Sequence, residues 1–292
     1  MMVIEKHRHC CYIVCIINVC LVYCMLFISW NCDTLPVDSQ KPEAKKSANR
    51  GGLMDSASIL DIIRWHQWNN LGACRDIKFF GGHIWRSSLK HRVVMDGHKA
   101  LCFDKNVRPL PGNCLIYSFG INSDWSYDAD LAEYGCEVHS FDPSIEEPPQ
   151  IGRNKFYFHK IGLDGRDYVN PKGWQMMTLK SIMKLLGHEN RVVDAVKMDI
   201  EESEYEAVPN MILTGVLEKI KQIAIETHNF SMEEKDRKRY IEKFRRILKL
   251  EKFGFIRFSS QPGMNTNLVN EMAKMSDFFC YEIAWYNPKF YK

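Results

Sequence analysis

The chain has 292 residues, enough for one large domain or two small ones, and 46% of them are hydrophobic, which suffices for a sizeable core. Its 39 basic and 36 acidic side chains leave a formal net charge of +3, and no long basic stretch carries interleaved aromatic residues. This balance excludes a strongly basic nucleic-acid-binding protein, so we predict no nucleic-acid partner.

An apolar stretch near the N-terminus predicts a membrane-spanning helix. The 21 residues from Cys10 to Trp30 include only two clearly polar side chains, Asn18 and Ser29. A helix of that length spans roughly 30 Å, the thickness of the hydrocarbon core of a bilayer. The residues that follow are polar and rich in Lys, Ser, Pro and Gly, as in a flexible stem. We therefore predict a cytosolic tail over 1–9, a transmembrane signal-anchor over 10–30 and a stem over 31–52.

This organisation predicts a single-pass type II membrane protein whose lumenal domain lies in the Golgi or another secretory compartment. The basic residues on the two sides of the span do not fix its orientation, but a folded domain can be translocated regardless of loop charge. The alternative is a signal peptide that is cleaved, which would give a secreted protein.

Five cysteines remain for the domain beyond the stem, and their odd number leaves at least one unpaired. Cys114 and Cys136 lie in or beside predicted core strands and are expected to be buried thiols. Cys74 and Cys102 lie outside the repeating core, and we expect them to form a lumenal disulfide. Cys280 is the fifth.

Residues 53–111 have an irregular pattern, and we predict an accessory segment there. A helix is expected from about Ser56 to Leu71, because isoleucine and tryptophan side chains recur at helical spacing. Further on, Asp96-Gly97 is a turn signal, and the apolar runs on its two sides predict a hairpin that pairs Val93–Met95 with Ala100–Phe103.

From Gly112 onward, short apolar runs alternate with helical patterns, which is typical of a parallel sheet covered by helices. We therefore predict an α/β domain over 112–292 with a doubly wound sheet. The predicted strands are Cys114–Phe119, Val138–Phe141, Phe156–Ile161, Ala195–Ile200 and Gln222–Ile225, followed by Phe255–Phe258 and Tyr281–Tyr286 as an antiparallel edge. The predicted helices are Ser126–Tyr134, Thr178–Leu186, Ser203–Leu217 and 232–252.

Ligand-binding residues are expected where these strands end, because ligands of open α/β sheets bind at the carboxyl ends of the strands. Gly120 and Asn122 follow the first strand, and Asp142 follows the second, 22 residues after Gly120. A glycine followed by an acid at this spacing fits an adenosine-bearing cofactor. The G-x-G-x-x-G fingerprint is absent, which disfavours a nicotinamide-dependent oxidoreductase and favours S-adenosylmethionine.

Four sequence blocks resemble a known family. The blocks are YSFGINSDWSYD, YGCEVHSFDPS, VKMDIEESEYEAV and IAIETH. Together they resemble the methyltransferase-like protein 24 family, which is itself similar to FkbM-type S-adenosylmethionine-dependent methyltransferases, and the resemblance covers about 55–292. It implies a class I methyltransferase (Rossmann-like) fold with seven strands, the last antiparallel, and a secretory-pathway membrane anchor.

The resemblance also implies roles for individual residues. Gly120 and Asn122 would line the methionine side of the cofactor, Asp142 its ribose and Asp164 its adenine. Asp199 would lie where the cofactor meets the acceptor. FkbM-type relatives suggest an acceptor hydroxyl, in a glycan or another small molecule, although the sequence does not identify the acceptor.

Methyl transfer to a hydroxyl requires removal of its proton. Asp199, Glu226 and His228 are predicted at neighbouring strand ends, and His228 is the first choice as base because its ordinary pKa lies nearest neutrality. In the alternative, Asp199, Glu201 and Glu226 hold a divalent cation. A different reading of the whole chain is a catalytically inactive methyltransferase-like binding or scaffold protein, which the single glycine after the first strand supports.

Overall fold

The computed structural model describes residues 58–86, 93–146, 155–228, 233–263 and 267–291. The cytosolic tail, signal-anchor and stem predicted over residues 1–52 lie outside these ranges and remain predictions. Within the described ranges, no helix combines the length and the apolar character that crossing a membrane requires.

Among its described residues, the segment before the main sheet contains one helix and four short strands. Helix α1 begins with a capping box, in which the Ser58 side chain accepts a hydrogen bond from the Asp61 backbone and the Asp61 carboxylate accepts one from the Ser58 backbone. These reciprocal bonds satisfy amides that lack partners at a helix start. The elements are α1 (Ile59–Gln67), β1 (Ile77–Phe80), β2 (His83–Arg86), β3 (Val93–Asp96) and β4 (Lys99–Cys102).

The predicted hairpin between Val93–Met95 and Ala100–Phe103 is wrong. Strand β3 pairs with β2, and β4 pairs with β1, so the two strands that flank the Asp96-Gly97 turn have different partners. The physical reason is burial: every residue of β4 is buried, which a two-stranded hairpin cannot provide. Strand β4 obtains that burial by packing with Ala224 and Ala284 of the main sheet.

The rest of the described chain alternates between strands and helices, as predicted. The strands are β5 (Leu115–Phe119), β6 (Glu137–Phe141), β7 (Phe156–His159), β8 (Gly162–Leu163), β9 (Tyr168–Val169), β10 (Gln175–Met177), β11 (Val193–Met198), β12 (Ile220–His228), β13 (Ile256–Pro262), β14 (Asn267–Asn270), β15 (Met275–Phe278) and β16 (Cys280–Tyr286). The helices are α2 (Ser126–Tyr134), α3 (Leu179–Leu185), α4 (Glu204–Leu213) and α5 (Arg237–Phe253).

Seven of these strands form the main sheet, in the order β7-β6-β5-β11-β12-β16-β13. Strand β16 is antiparallel to both of its neighbours, and the other four neighbouring pairs of the sheet are parallel. The seven-stranded sheet with an antiparallel last strand is therefore confirmed. The predicted antiparallel edge is also confirmed, because β13 is the edge strand and pairs antiparallel with β16, which lies between β12 and β13.

The register of the central strands brings their ends to one level. Phe119, the last residue of β5, lies opposite Phe141 of β6 and Met198 of β11. The residues that follow each of these strands, Gly120 and Asp142 among them, therefore emerge along the same edge of the sheet.

The two faces of the sheet are covered by different elements. Along β5, Leu115 and Tyr117 belong to one core with α1, α3, α4 and α5, whereas Ile116 packs with α2 on the opposite face. This alternation follows from the two-residue period of a strand, and it explains why β5 and β11 are apolar throughout. Helices on both faces are what the sequence predicted.

Two disulfides join the described cysteines. The predicted bond between Cys74 and Cys102 is confirmed. Cys114 and Cys136 are also bonded to each other, so their prediction as thiols is wrong. These two residues directly precede the adjacent strands β5 and β6, where the parallel register places them side by side. Cys280 is buried and unbonded.

Candidate active site

A cavity of about 650 Å³ lies at the carboxyl ends of the central strands. Its volume falls within the range of roughly 300–1,000 Å³ that is typical of small-molecule sites. We call it the strand-end cavity. The structure brings together on its wall every predicted site residue except Asp164, namely Gly120, Asn122, Asp142, Asp199, Glu201, Glu226 and His228.

Gly120 and Asn122 form the turn after β5. Both have positive φ angles, 75° and 48°, and a Cβ on Gly120 would overlap the backbone carbonyl oxygen of Asp199. Only glycine therefore allows β5 and β11 to approach so closely at this end. The turn is held by the Gly120 amide, which donates to the Phe141 carbonyl at 2.9 Å, and by the Lys197 ammonium, which donates to the Gly120 carbonyl.

Asp142 binds the same turn from β6. One of its carboxylate oxygens accepts hydrogen bonds from the amides of Ile121 and Asn122, at 2.9 and 2.8 Å, and the other accepts one from the Ser144 amide at 2.8 Å. Burial alone would raise the pKa of Asp142, but these bonds and that of the Ser144 hydroxyl outweigh it and lower the pKa. The carboxylate is thus ionised, preorganised and part of the cavity wall.

Asp164 lies behind the wall rather than on it. Its carboxylate accepts hydrogen bonds from the Gly165 amide at 2.6 Å and from the Tyr168 hydroxyl at 2.7 Å. Tyr168 does line the cavity. The direct effect of Asp164 in this structure is therefore to hold the Tyr168 ring at the cavity, together with neighbouring Trp174.

Asp199, Glu226 and His228 form a cluster that we call the strand-end trio. Their donor atoms lie within 4.8 Å of one another, and His228 Nε2 is 3.6 Å from Glu226 Oε1 and 4.0 Å from the exposed Glu201 carboxylate. Burial raises the pKa of Asp199, and the adjacent Glu226 adds to this rise. The Lys99 ammonium and the shared hydrogen bond lower the pKa of Glu226 despite its burial. The pKa values of these two carboxylates therefore shift in opposite directions, upward for Asp199 and downward for Glu226.

The structure adds Lys99, which the sequence analysis missed. Its side chain is only 1% exposed, and its ammonium contacts Glu282 and lies 3.4 Å from Glu226 and 3.9 Å from Asp199. Burial lowers the pKa of Lys99, but the three carboxylates outweigh burial and raise it. No local sequence signal marks this lysine, because its partners are 100 or more residues away along the chain.

A second cluster of possible metal donors, Glu137, His139 and His188, lies away from the cavity. The guanidinium of Arg191 binds both oxygens of Glu137, at 2.6 and 3.0 Å, and donates to His188 Nε2 at 3.0 Å. A guanidinium cation thus already contacts two of the three residues of this cluster. Glu204, at the start of α4, is fully buried, and burial raises its pKa.

Comparisons with known proteins agree with this geometry. A methyltransferase domain family matches residues 86–276, which is more than half of the chain. Two curated relatives are named "Probable methyltransferase-like protein 24". The human protein is 28% identical over 190 residues, which cover 60% of this chain and 50% of that protein. The rat protein is 33% identical over 126 residues, which cover 39% and 33%. The chain thus spans about half, and about a third, of the lengths of these relatives.

Solved structures show weaker similarity. The fibrillarin of Aeropyrum pernix, described as a complex with S-adenosyl-L-methionine, is 12% identical with a TM-score of 0.33, over 63% of this chain and 69% of that one. A putative SAM-dependent methyltransferase from Streptococcus mutans is 12% identical with a TM-score of 0.35, over 60% and 45%. Because these scores are low, the fold assignment rests on the sheet order and the family match. The resemblance to the methyltransferase-like protein 24 family is confirmed, and the chain belongs to the methyltransferase domain family.

Proposed function

We propose that this domain uses S-adenosylmethionine to methylate a hydroxyl oxygen of a glycan or another small molecule. One observation carries the proposal: a single cavity is lined at one side by the Gly120 turn and Asp142 and at another by the strand-end trio. The first set suits an adenosine-bearing cofactor, and the second suits removal of a proton. Their separation in sequence shows that the fold is what brings them together.

The residues present fit this cofactor. Gly120 leaves the backbone accessible where a ligand would lie, Asp142 presents an ionised carboxylate for ribose hydroxyls, and Tyr168 and Trp174 offer aromatic surface for adenine. When bound, S-adenosylmethionine supplies a methyl group whose bond to sulfur breaks as the acceptor oxygen attacks, leaving the sulfur uncharged. Acidic side chains on the cavity wall complement its positive charge.

His228 is the proposed base. Its Nε2 faces Glu226 Oε1 at 3.6 Å, and a carboxylate beside an imidazole stabilises the imidazolium that forms when a proton is accepted. The acceptor's hydroxyl proton would pass to His228, while Asp199 and Glu201 lie beside the same space. The protein's contribution is therefore to position the acceptor and to take its proton.

We also propose that the domain works in the secretory pathway, as a type II membrane protein or, if the signal is cleaved, as a secreted one. The support is chemical: two disulfides join four of the described cysteines, and disulfides are rare in compartments that keep thiols reduced. The apolar stretch over 10–30 agrees with entry into that pathway.

The direct test is to incubate the purified full-length protein with methyl-labelled cofactor and a panel of glycans, lipids and proteins. We expect label in a hydroxyl-bearing acceptor. His228→Ala should reduce turnover roughly 100-fold or more, the usual range for a lost general base, with little change in cofactor affinity. His83→Ala is the matched control, because His83 is a half-exposed histidine of the same cavity that pairs with Asp124. Unchanged turnover in His228→Ala would remove His228 as the base.

The second candidate is a binding or scaffold protein without turnover, which the single glycine after β5 favours. Calorimetry with S-adenosylmethionine separates the two functions. Absence of both binding heat and thermal stabilisation would reject the enzyme and leave the scaffold.

A further inference from the structure

We propose that Lys99 is the resident cation of this site: a positioning residue whose ammonium holds Asp199 and Glu226 in place, the task that a bound divalent cation performs in other clusters of carboxylates and histidine. This inference rests on the proposed function, because it concerns the residues that would take the acceptor's proton. Lys99 itself lies behind the cavity wall and does not face the cavity.

The contacts of Lys99 converge from three strands. Its ammonium contacts Glu282 of β16 and lies 3.4 Å from Oε2 of Glu226, on β12, and 3.9 Å from Oδ2 of Asp199, after β11. Lys99 and Glu282 are 1% and 5% exposed. The lysine thus joins the strands that carry the site from behind the cavity wall.

Charge balance requires a cation at this point. Three carboxylates converge on the Lys99 ammonium, two of them buried, and they cannot all be ionised there unless a positive charge compensates them. Lys197 is the other lysine whose charge acts on Asp199, but its ammonium is engaged by the Gly120 carbonyl. A metal ion on Glu226 and Asp199 would bring like charges together with Lys99 in a low-dielectric site. Arg191 performs the same task in the Glu137 cluster.

The surroundings of β4 fix the position of Lys99. Cys102, three residues later, is held by the disulfide to Cys74. The side-chain amide of Gln222 also bonds both backbone groups of Cys102, at 2.7 and 3.0 Å. Gln222 and Glu226 belong to the same strand, so β4 is set in register with the strand that carries the carboxylate. The segment predicted as accessory therefore supplies part of the active site.

The test measures Mn²⁺ binding by electron paramagnetic resonance, on the purified full-length protein. We expect no Mn²⁺ bound by the strand-end trio in the wild-type protein. Lys99→Met, which removes the charge but keeps a similar volume, should gain Mn²⁺ affinity by at least about tenfold, since the carboxylates lose their cation. Adding Glu226→Gln to Lys99→Met should abolish that gain. Lys221→Met is the matched control, because it removes a lysine from an ion pair with the buried Asp194, 2.7 Å away, and Asp194 belongs to none of the clusters of possible metal donors among the described residues.

A buried lysine variant can fail to fold, so Lys99→Met/Glu282→Gln, which removes one positive and one negative charge, serves as a second variant with the same expected gain. The proposal is overturned if the wild-type protein binds Mn²⁺ and Glu226→Gln removes it, which would make the trio a metal site. It is also overturned if the folded Lys99 variants bind no more Mn²⁺ than the wild type. Calorimetry with S-adenosylmethionine on the same samples tests the proposed function separately.

Discussion

The backbone carbonyl oxygen of Asp199 occupies the space that a Cβ at Gly120 would need. The ends of β5 and β11 are thereby in direct contact, which joins the proposed cofactor side of the cavity to the proposed acceptor side. Any side chain at position 120 must separate the two strand ends.

Gly120→Ala should therefore affect both stability and ligand binding. We expect a loss of unfolding free energy of about 2–4 kcal/mol, from the clash and from the positive φ angle, and at least about tenfold weaker cofactor binding. Denaturant unfolding and calorimetry would measure these effects. Gly215→Ala is the control: Gly215 has a similar φ of 72° but nothing within 4 Å of the added Cβ, so it should cost only about 1 kcal/mol. Equal losses of unfolding free energy in Gly120→Ala and Gly215→Ala would contradict the close approach of the Gly120 and Asp199 main chains.

Asp142→Asn should loosen the turn after β5. An asparagine retains one acceptor oxygen and places an NH₂ group against amides that already donate, which costs about 1–3 kcal/mol for a buried group. We expect Asp142→Asn to lower the cofactor affinity as well as the stability, because the turn and the carboxylate line the same cavity. Asp130→Asn is the comparison, since the exposed Asp130 accepts from a single amide, that of Gly81, and should cost less than about 1 kcal/mol. Wild-type affinity in Asp142→Asn would contradict the assignment of Asp142.

Three histidines near the sheet edge make stability depend on pH. His139 Nδ1 lies 2.9 Å from His159 Nε2, so only one of these nitrogens can carry a proton. His188 Nε2 accepts from Arg191, which can only donate, and its Nδ1–H therefore donates to the Tyr117 oxygen. Burial lowers the pKa of each histidine, that of His159 to about 4. The fold thus favours their neutral forms.

Because these folded pKa values lie below the unfolded value of about 6.5, the unfolded state binds protons first as the pH falls. The contribution of the histidines to stability is complete above about pH 6.5 and is lost as the pH falls from there toward 4. We expect the Tm of the wild type to fall by about 5 °C more than that of His159→Gln between about pH 7.5 and 5. His83→Gln, a histidine outside the cluster, should behave as the wild type. If the Tm of His159→Gln falls with pH as much as the Tm of the wild type, the prediction is contradicted.

Removing either disulfide should destabilise the fold. The bonds close loops with sequence separations of 28 and 22 residues, so Cys74→Ser/Cys102→Ser and Cys114→Ser/Cys136→Ser should each cost about 3 kcal/mol in unfolding by urea. The first pair should also weaken catalysis, because Cys102 lies on the strand that carries Lys99. A cost below about 1 kcal/mol for both pairs would show that packing alone holds these strands.

The parallel core could be predicted because its signals are local. The apolar runs of β5 and β11 are buried on both faces, and the polar residues that end them must face the open edge of the sheet. Even Cys114–Cys136 had a usable signal, since the two cysteines lie at or just before the starts of two consecutive predicted strands.

What could not be predicted depends on long-range pairing. Asp96-Gly97 has the local chemistry of a hairpin turn, yet β4 gains more by burial against the main sheet than by pairing with β3. Lys99 and Glu282 are separated by 183 residues, and neither is unusual in its own sequence window. Glu204 gave no sign of burial, because charged residues surround it in the sequence.

The insertion of β16 between β12 and β13 also sets an order of events during synthesis. Strands β12 and β13 leave the ribosome before residues 280–286 are synthesised. These two strands must therefore stay apart, or separate again, until β16 can insert between them. The Lys99 ammonium has no Glu282 until then. A nascent chain therefore carries an incomplete acid cluster, which is completed only when the last strand of the sheet is in place.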